Sequence, residues 1–305
     1  MIPLFTRRHF LEATGLAGLA FASTSFDFKR PTPRLSFSTL GCPDWSFETI
    51  LNFAVEKGYD GVEVRGLQRQ LDLTKCREFS NENILTTSKR ITEKKIKIVG
   101  LGSSAAMHHT QAAERKKNLD EVKSFIDLAL QLNCPYVRVF PNNFPKEQER
   151  NKTIDLIAEG LLEAGDYAKR NNVMVLMETH GDVVHTTDIE RIMKLVAHPN
   201  VGLVWDVVNM WSVTKEPVVA VYDKLKKHIR HTHIKDLKFV DGKTQYTLLG
   251  KGDAPIFEAI DIMEKDGYPG YYSFEWEKLW HPEMEEPEVA LADYVNAMKQ
   301  HFKKK

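Results

Sequence analysis

The chain has 305 residues, of which 42% are hydrophobic and 28% are charged, a composition typical of a globular protein with one large core. Its 42 basic and 42 acidic side chains cancel. The sequence therefore offers neither the basic field of a nucleic-acid-binding protein nor a polybasic membrane anchor, and we predict no nucleic-acid partner and no membrane span.

The first 22 residues have the parts of an export signal in the required order. Arg7 and Arg8 precede an apolar pair, residues 16–22 are apolar and rich in Ala and Gly, and Ala20 and Ala22 form a small-x-small cleavage site. The apolar stretch is too short to cross a bilayer. The pattern resembles a twin-arginine signal peptide over 1–22 and predicts a periplasmic or otherwise exported protein. Residues 23–33 are polar, contain two prolines and are predicted to form a linker.

After the linker, short runs of β-branched residues alternate with longer amphipathic segments. The predicted strands cover residues 35–40, 61–65, 96–101, 136–140, 173–178, 201–206, 229–234 and 271–276. The predicted helices cover residues 48–57, 84–94, 112–133, 152–171, 188–197, 217–227, 256–265 and 287–302. These βα units predict an α/β fold, and the length favours a single (β/α)8 TIM barrel over residues 34–302.

An open, doubly wound sheet is the alternative arrangement of the same elements. That fold usually carries a glycine-rich phosphate loop directly after its first strand. Here the first strand is followed by Gly41, Cys42 and Pro43, with no GxGxxG pattern. The closed barrel is therefore the preferred prediction.

Four predicted strand ends carry side chains that could bind a metal ion. Glu178 ends the fifth strand, Asp206 ends the sixth, and His233 and Glu275 lie near the ends of the seventh and eighth. The carboxyl ends of barrel strands share one rim, so these side chains are predicted to converge. Taken singly, each could be a salt-bridge partner or a satisfied core residue. Together, three carboxylates and one imidazole predict one divalent ion, with Mn²⁺ preferred and Mg²⁺, Co²⁺ or Zn²⁺ also compatible.

The segments around these residues resemble those of a known family. They are 176–180 (LMETH), 204–206 (VWD), 231–236 (HTHIKD) and 273–277 (SFEWE). They resemble the xylose isomerase-like TIM-barrel superfamily and, within it, the sugar phosphate isomerase/epimerase group to which D-tagatose 3-epimerase belongs.

The resemblance implies a metal-dependent sugar isomerase or epimerase. Glu178 and Glu275 would then be catalytic as well as metal ligands. One would remove a proton next to a carbonyl and the other would return it, while the metal stabilises the enediolate. His233, the second histidine of HxHxxD, matches the ligand of the family, and His231 is expected to lie deeper in the barrel.

Two positions depart from the ketose epimerases of that group. The resemblance implies a substrate-binding histidine and an arginine where this chain has Asn209 and Phe239. These departures keep a second reaction open, the elimination of the aglycone from 3-keto-glycosides by a metal-dependent lyase. A sugar-binding barrel without activity is the non-enzyme alternative. Endonuclease IV shares the barrel, but it needs several metals and a basic face, which the zero net charge opposes.

Further side chains near the strand ends are predicted to bind substrate. They are His180, Asn209, Lys235, Glu277, His281, His108 and Glu63. Trp205, Trp211, Trp276 and Trp280 could stack on a sugar ring, although at least half of them are expected in the core. The expected partner is a free sugar or an oxidised glycoside, because the sequence shows no P-loop and no clustered arginines or lysines for a phosphate. The prediction also allows a homo-oligomer.

Overall fold

The computed structural model of the protein describes residues 33–303. The predicted signal peptide and all but the last residue of the predicted linker lie outside the described residues. Eight parallel strands form a closed barrel in the order β1-β10-β7-β6-β5-β4-β3-β2. The first strand pairs with both the second and the last, with Ser36 opposite Gly61 and Ser273, and this pairing closes the sheet. The predicted single TIM barrel is confirmed.

The strands are short, as expected for a barrel of this length. Their bounds are β1 Arg34–Ser38, β2 Gly61–Val64, β3 Lys97–Ala106, β4 Tyr136–Phe140, β5 Met174–Glu178, β6 Val201–Asp206, β7 Ile229–Ile234, β8 Asp236–Val240, β9 Lys243–Thr247 and β10 Tyr271–Phe274. Strands β8 and β9 form a separate antiparallel hairpin.

The described residues form nine α-helices, one more than predicted. They are α1 Phe47–Lys57, α2 Ile84–Glu93, α3 Ala112–Gln131, α4 Arg150–Lys169, α5 Thr186–Val196, α6 Val207–Thr214, α7 Val218–Leu225, α8 Ile256–Lys265 and α9 Pro287–Lys303. The first illustrates why the segments fold locally. Ser46 caps it by accepting from the Thr49 amide, and Gly58 ends it at φ 79°, a conformation that suits glycine.

The structure corrects one element boundary and adds a helix and a hairpin to the predicted elements. Strand β3 runs five residues beyond its predicted end at residue 101, although the extension is rich in Gly, Ser and Ala. Tertiary contacts hold it, since Ser103 Oγ donates to the Arg138 carbonyl at 2.7 Å and Ala106 lies opposite Phe140. Helix α6 and the β8–β9 hairpin were not predicted. Both follow strand ends directly, where the prediction had loops.

The hairpin is anchored by one buried carboxylate. Asp236 accepts hydrogen bonds from the amides of Leu237, Gly250 and Gly252, each at 2.9 Å. The two ends of the long β7–α8 connection are thereby tied together at the rim of the barrel.

The main core lies between the barrel and the surrounding helices. Phe274 of β10 stacks on Tyr294 of α9, with ring centres 4.5 Å apart. Trp205 and Trp276 are each 1% exposed and belong to this core, so these two do not stack on a sugar as one alternative held. Among residues 33–303, no helix is both long and apolar enough to cross a bilayer.

Candidate metal centre and substrate site

The four predicted ligands meet at the carboxyl end of the barrel. Glu178 and Asp206 are the last residues of β5 and β6, His233 is the penultimate residue of β7, and Glu275 directly follows β10. Each offers one ligand atom, and these four atoms lie within 4.8 Å of one another. The parallel register makes this convergence possible, because Asp206 lies opposite His233 in neighbouring strands.

The centre of the cluster contains a buried polar atom without a hydrogen bond. His233 Nδ1 lies 3.4 Å from Glu178 Oε1, 3.2 Å from Glu275 Oε1 and 3.9 Å from Asp206 Oδ2. His233 Nδ1 is buried without a hydrogen-bond partner, whereas Glu178 Oε2 and Asp206 Oδ2 are buried against cationic side chains at 3.0 and 2.8 Å. A buried imidazole nitrogen that faces three carboxylates fits a divalent cation.

The electrostatics of the cluster suit a site that exchanges a proton for a cation. Burial lowers the pKa of His233, but Glu275, Glu63 and Glu178 outweigh it and hold that pKa well above its usual range. Burial raises the pKa of Asp206 to about 7 against the opposing effect of Lys235. A cation that binds Nδ1 must therefore displace a proton from His233.

Glu63 and His231 support the imidazole of His233 from its other side. The Glu63 Oε2 atom lies 3.0 Å from His233 Nε2 and 2.8 Å from His231 Nε2. Burial raises the pKa of Glu63, but His233 and His231 hold it below the usual range. Glu63 is only 1% exposed, so the structure gives it this supporting contact in place of the predicted substrate contact. His231 lies deep, as expected.

Lys235 is buried beside the four ligands. Its ammonium group lies 2.8 Å from Asp206 Oδ2, 2.8 Å from Glu275 Oε2 and 2.6 Å from Glu277 Oε1. It also faces the ring of Tyr246, at 5.6 Å from the ring centre. The sequence predicts Lys235 and Glu277 to bind substrate, and the structure places both next to the candidate metal ligands.

His180 and Asn209 line the same cluster. His180 Nδ1 lies 3.1 Å from Asn142 Oδ1, and burial lowers the pKa of the imidazole. Its ring packs on Phe140, with ring centres 4.5 Å apart. The Asn209 amide donates to Glu178 Oε1 at 3.5 Å. The two side chains therefore lie where a ligand of the metal ion could touch them.

His281 and His108 lie farther out than the other predicted substrate residues. His281 packs edge-on against Tyr246, with ring centres 5.2 Å apart, and reaches Lys235 only through that tyrosine. His108 is half-buried and packs on His109, with ring centres 4.3 Å apart. Neither side chain contacts the four ligands within the described residues.

Sequence reasoning missed two buried arginines, Arg65 and Arg138. Arg138 is the central residue of β4, between two valines, and its Nε atom lies 3.0 Å from Glu178 Oε2. Its side chain is 4% exposed. A charge in the middle of an apolar strand was the available signal, because such a charge needs a buried partner.

The closed barrel and the ligand cluster at its carboxyl end, where TIM-barrel enzymes have their active sites, define the class of the protein as a TIM-barrel enzyme. The chain belongs to the xylose isomerase-like TIM barrel family, whose model matches residues 51–300.

The relatives of the chain are enzymes that act on small molecules. It is 26% identical over 263 residues to the fructoselysine 3-epimerase of Shigella flexneri, which covers 82% of this chain and 91% of the relative. It is 24% identical over 251 residues to the 3-dehydroshikimate dehydratase of Bacillus anthracis, and the alignment covers 76% of this chain and 85% of the relative. The solved structure of the IOLI protein with a binding zinc atom has the same fold, with a TM-score of 0.73 and 17% identity. The superposition covers 89% of this chain and 98% of that one.

Proposed function

We propose that the protein is a divalent-metal-dependent sugar isomerase or epimerase that moves a proton next to a carbonyl. The observation that carries the proposal is the approach of four ligand atoms to within 4.8 Å in a buried site. We propose Mn²⁺ as the ion, because oxygen ligands predominate. The epimerase relative supports the reaction class. The signal-like residues 1–22 support an exported enzyme.

When bound, the ion would polarise the carbonyl and hydroxyl oxygens of the sugar and stabilise the charge that develops there. The protein supplies the bases. Glu178 and Glu275 approach His233 Nδ1 at 3.4 and 3.2 Å from two different βα units, and we propose that they act on opposite faces of a substrate carbon. One carboxylate removes the proton and the other returns it on the opposite face, which inverts the carbon.

Both glutamates are held in the ionised form that a base requires. Burial and Glu275 raise the pKa of Glu178, but His233 and Arg138 bring it below its usual value. Burial also raises the pKa of Glu275, while His233 and Lys235 hold it well below. Lys235 hydrogen-bonds Glu275 and so orients one of the two bases.

Elimination is a second candidate reaction, supported by the similarity to a dehydratase. It starts with the same proton abstraction, after which the group on the β carbon leaves. The ammonium of Lys235, which lies beside Glu275 and Glu277, would donate a proton to the departing oxygen. A 3-keto-glycoside would then release its aglycone and leave an unsaturated sugar.

The test is proton exchange in deuterated water. The Mn²⁺-loaded protein is incubated with free ketoses and, separately, with 3-keto-glycosides, and products are followed by NMR. We expect deuterium at one product carbon, and we expect Glu178→Gln and Glu275→Gln each to lose at least about a hundredfold in turnover, because an amide cannot act as a base. Glu283→Gln, an exposed position, is the control and should retain full activity.

A new stereoisomer would identify an epimerase, and released aglycone would identify a lyase. Elimination forms no new C–H bond, so the lyase product carries no deuterium at the carbon that lost its proton. Full activity in both glutamine variants, or a new stereoisomer without deuterium, would refute the proposed roles of the two glutamates.

A further inference from the structure

Arg65 and Arg138 lie side by side in the site although each carries a positive charge. Both side chains cross Gly102 of β3. A Cβ atom at residue 102 would lie 2.6 Å from Arg65 Cδ and 3.0 Å from Arg138 Nη2. The absence of a side chain at this glycine is what lets the two arginines approach each other.

Arg65 is the less compensated of the two charges. Arg65 is 5% exposed, and no carboxylate of the described residues lies within 4.0 Å of its guanidinium group. Its hydrogen bonds within that part of the chain go to Ser104 Oγ at 3.1 Å and the Gly102 carbonyl at 3.5 Å. These two neutral acceptors use two of five N–H groups. Burial and Arg138 lower the pKa of Arg65 to about 9, against the opposing effect of the carboxylates Glu178, Glu275 and Glu121.

The carboxylate that pairs with Arg138 is also a candidate metal ligand. The Nε atom of Arg138 pairs with Glu178 Oε2 at 3.0 Å, its Nη1 atom donates to the Ser103 carbonyl at 2.8 Å, and its guanidinium carbon lies 3.8 Å from the centre of the Phe140 ring. Glu178 is also one of the four candidate metal ligands. Once its charge is shared with a cation, the arginine pair has still less compensation, and buried charges need a partner.

We propose that Arg65 and Arg138 form a subsite for a carboxylate group of the substrate, so that the enzyme acts on a keto sugar acid in preference to a neutral sugar. The inference rests on the proposed function, because it places the carboxylate of the substrate on arginines that lie next to the candidate metal ligand Glu178. A guanidinium fork matches a planar carboxylate in geometry and charge.

Isothermal titration of the Mn²⁺-loaded protein tests the subsite with three probes: D-fructose, D-fructuronate and D-fructose 6-phosphate. The first two differ only in a hydroxymethyl group and a carboxylate. We expect D-fructuronate to bind at least about tenfold more tightly than D-fructose. In Arg65→Gln this preference should disappear while the affinity for D-fructose stays within about twofold. Arg69→Gln changes an exposed arginine of the same loop and should leave both affinities unchanged.

Equal affinity of the wild-type protein for D-fructose and D-fructuronate would overturn the proposal. Tighter binding of D-fructose 6-phosphate than of D-fructuronate would overturn the choice of carboxylate. An equal loss for both sugars in Arg65→Gln would indicate a structural role only. If that variant does not fold, Arg65→Lys keeps the charge without the fork, and we expect a reduced but measurable preference.

The binding assay is independent of turnover. Failure of the function would appear as absent deuterium exchange with the uronate preference intact. Failure of the subsite would appear as exchange on neutral ketoses with no preference for the acid.

Discussion

His233 presents Nδ1 to the candidate metal because its Nε2 atom is already held by Glu63. The carboxylate contacts Nε2 at 3.0 and 3.2 Å and is itself fixed by His231. A carboxylate on the distal nitrogen fixes both the tautomer and the orientation of a ligand histidine. Ser273 adds a weaker contact to the same carboxylate at 3.4 Å. The buried Glu63–His231 pair therefore supports the candidate metal ligand His233 from the side away from the other three ligands.

Replacing Glu63 tests this support. Glu63→Gln keeps the volume but removes the charge that faces His233, and we expect the Mn²⁺ affinity to fall by about 10- to 100-fold. Titration calorimetry with Mn²⁺ measures the change, and exposed Glu82→Gln serves as the control. An unchanged affinity in the folded variant would mean that Glu63 does not position the ligand.

Short elements directly after the strands complete the site. Helix α6 begins right after β6, and Asp206 is both its cap and a candidate ligand. Its Oδ1 atom accepts from the backbone amide of Asn209 at 2.7 Å, and its Oδ2 atom lies 2.8 Å from Lys235 Nζ and 3.9 Å from His233 Nδ1. The cap thus fixes the rotation of the carboxylate. The β8–β9 hairpin carries Tyr246, which covers Lys235 from the outside.

The hairpin anchor can be broken at Gly252. A Cβ atom there would lie 2.0 Å from Asp236 Oδ1 and 2.4 Å from the Leu237 carbonyl. We expect Gly252→Ala to destabilise the protein by about 1–3 kcal/mol through this overlap, measured by chemical denaturation. A Cβ atom at residue 242, in the hairpin turn, would have no atom within 4 Å. Gly242→Ala is strained only by its φ of +75°, so it should destabilise the protein less than Gly252→Ala. Equal stability of Gly252→Ala and wild type would show that the contacts of Asp236 rearrange without a measurable loss of stability.

At the scale of the molecule, the site concentrates like charges. Glu178, Asp206 and Glu275 lie within reach of one another, with His233 and Lys235 as compensation. A divalent ion removes the repulsion between the carboxylates in the folded protein only. Metal binding is therefore expected to stabilise the whole barrel.

Thermal unfolding with and without metal measures this coupling. At a free Mn²⁺ concentration about 100 times the dissociation constant, the stabilisation is expected to be about 2.7 kcal/mol. For a protein of this size that corresponds to a rise in Tm of roughly 4–5 °C. A chelator should reverse the rise, and His233→Ala should abolish it. A Tm that does not respond to Mn²⁺ would contradict the metal site.

The sequence by itself determined the barrel and the four candidate ligands. Alternating strands and helices require parallel pairing, and parallel strands end at one rim, so Glu178, Asp206, His233 and Glu275 could be brought together without a structure. Only the tertiary structure decided which side chains meet across the strands. Arg65 and Arg138 become neighbours through the register over Gly102, and Glu63 reaches His233 across the barrel. Such contacts depend on register shifts and shared side-chain space, which local sequence patterns do not encode.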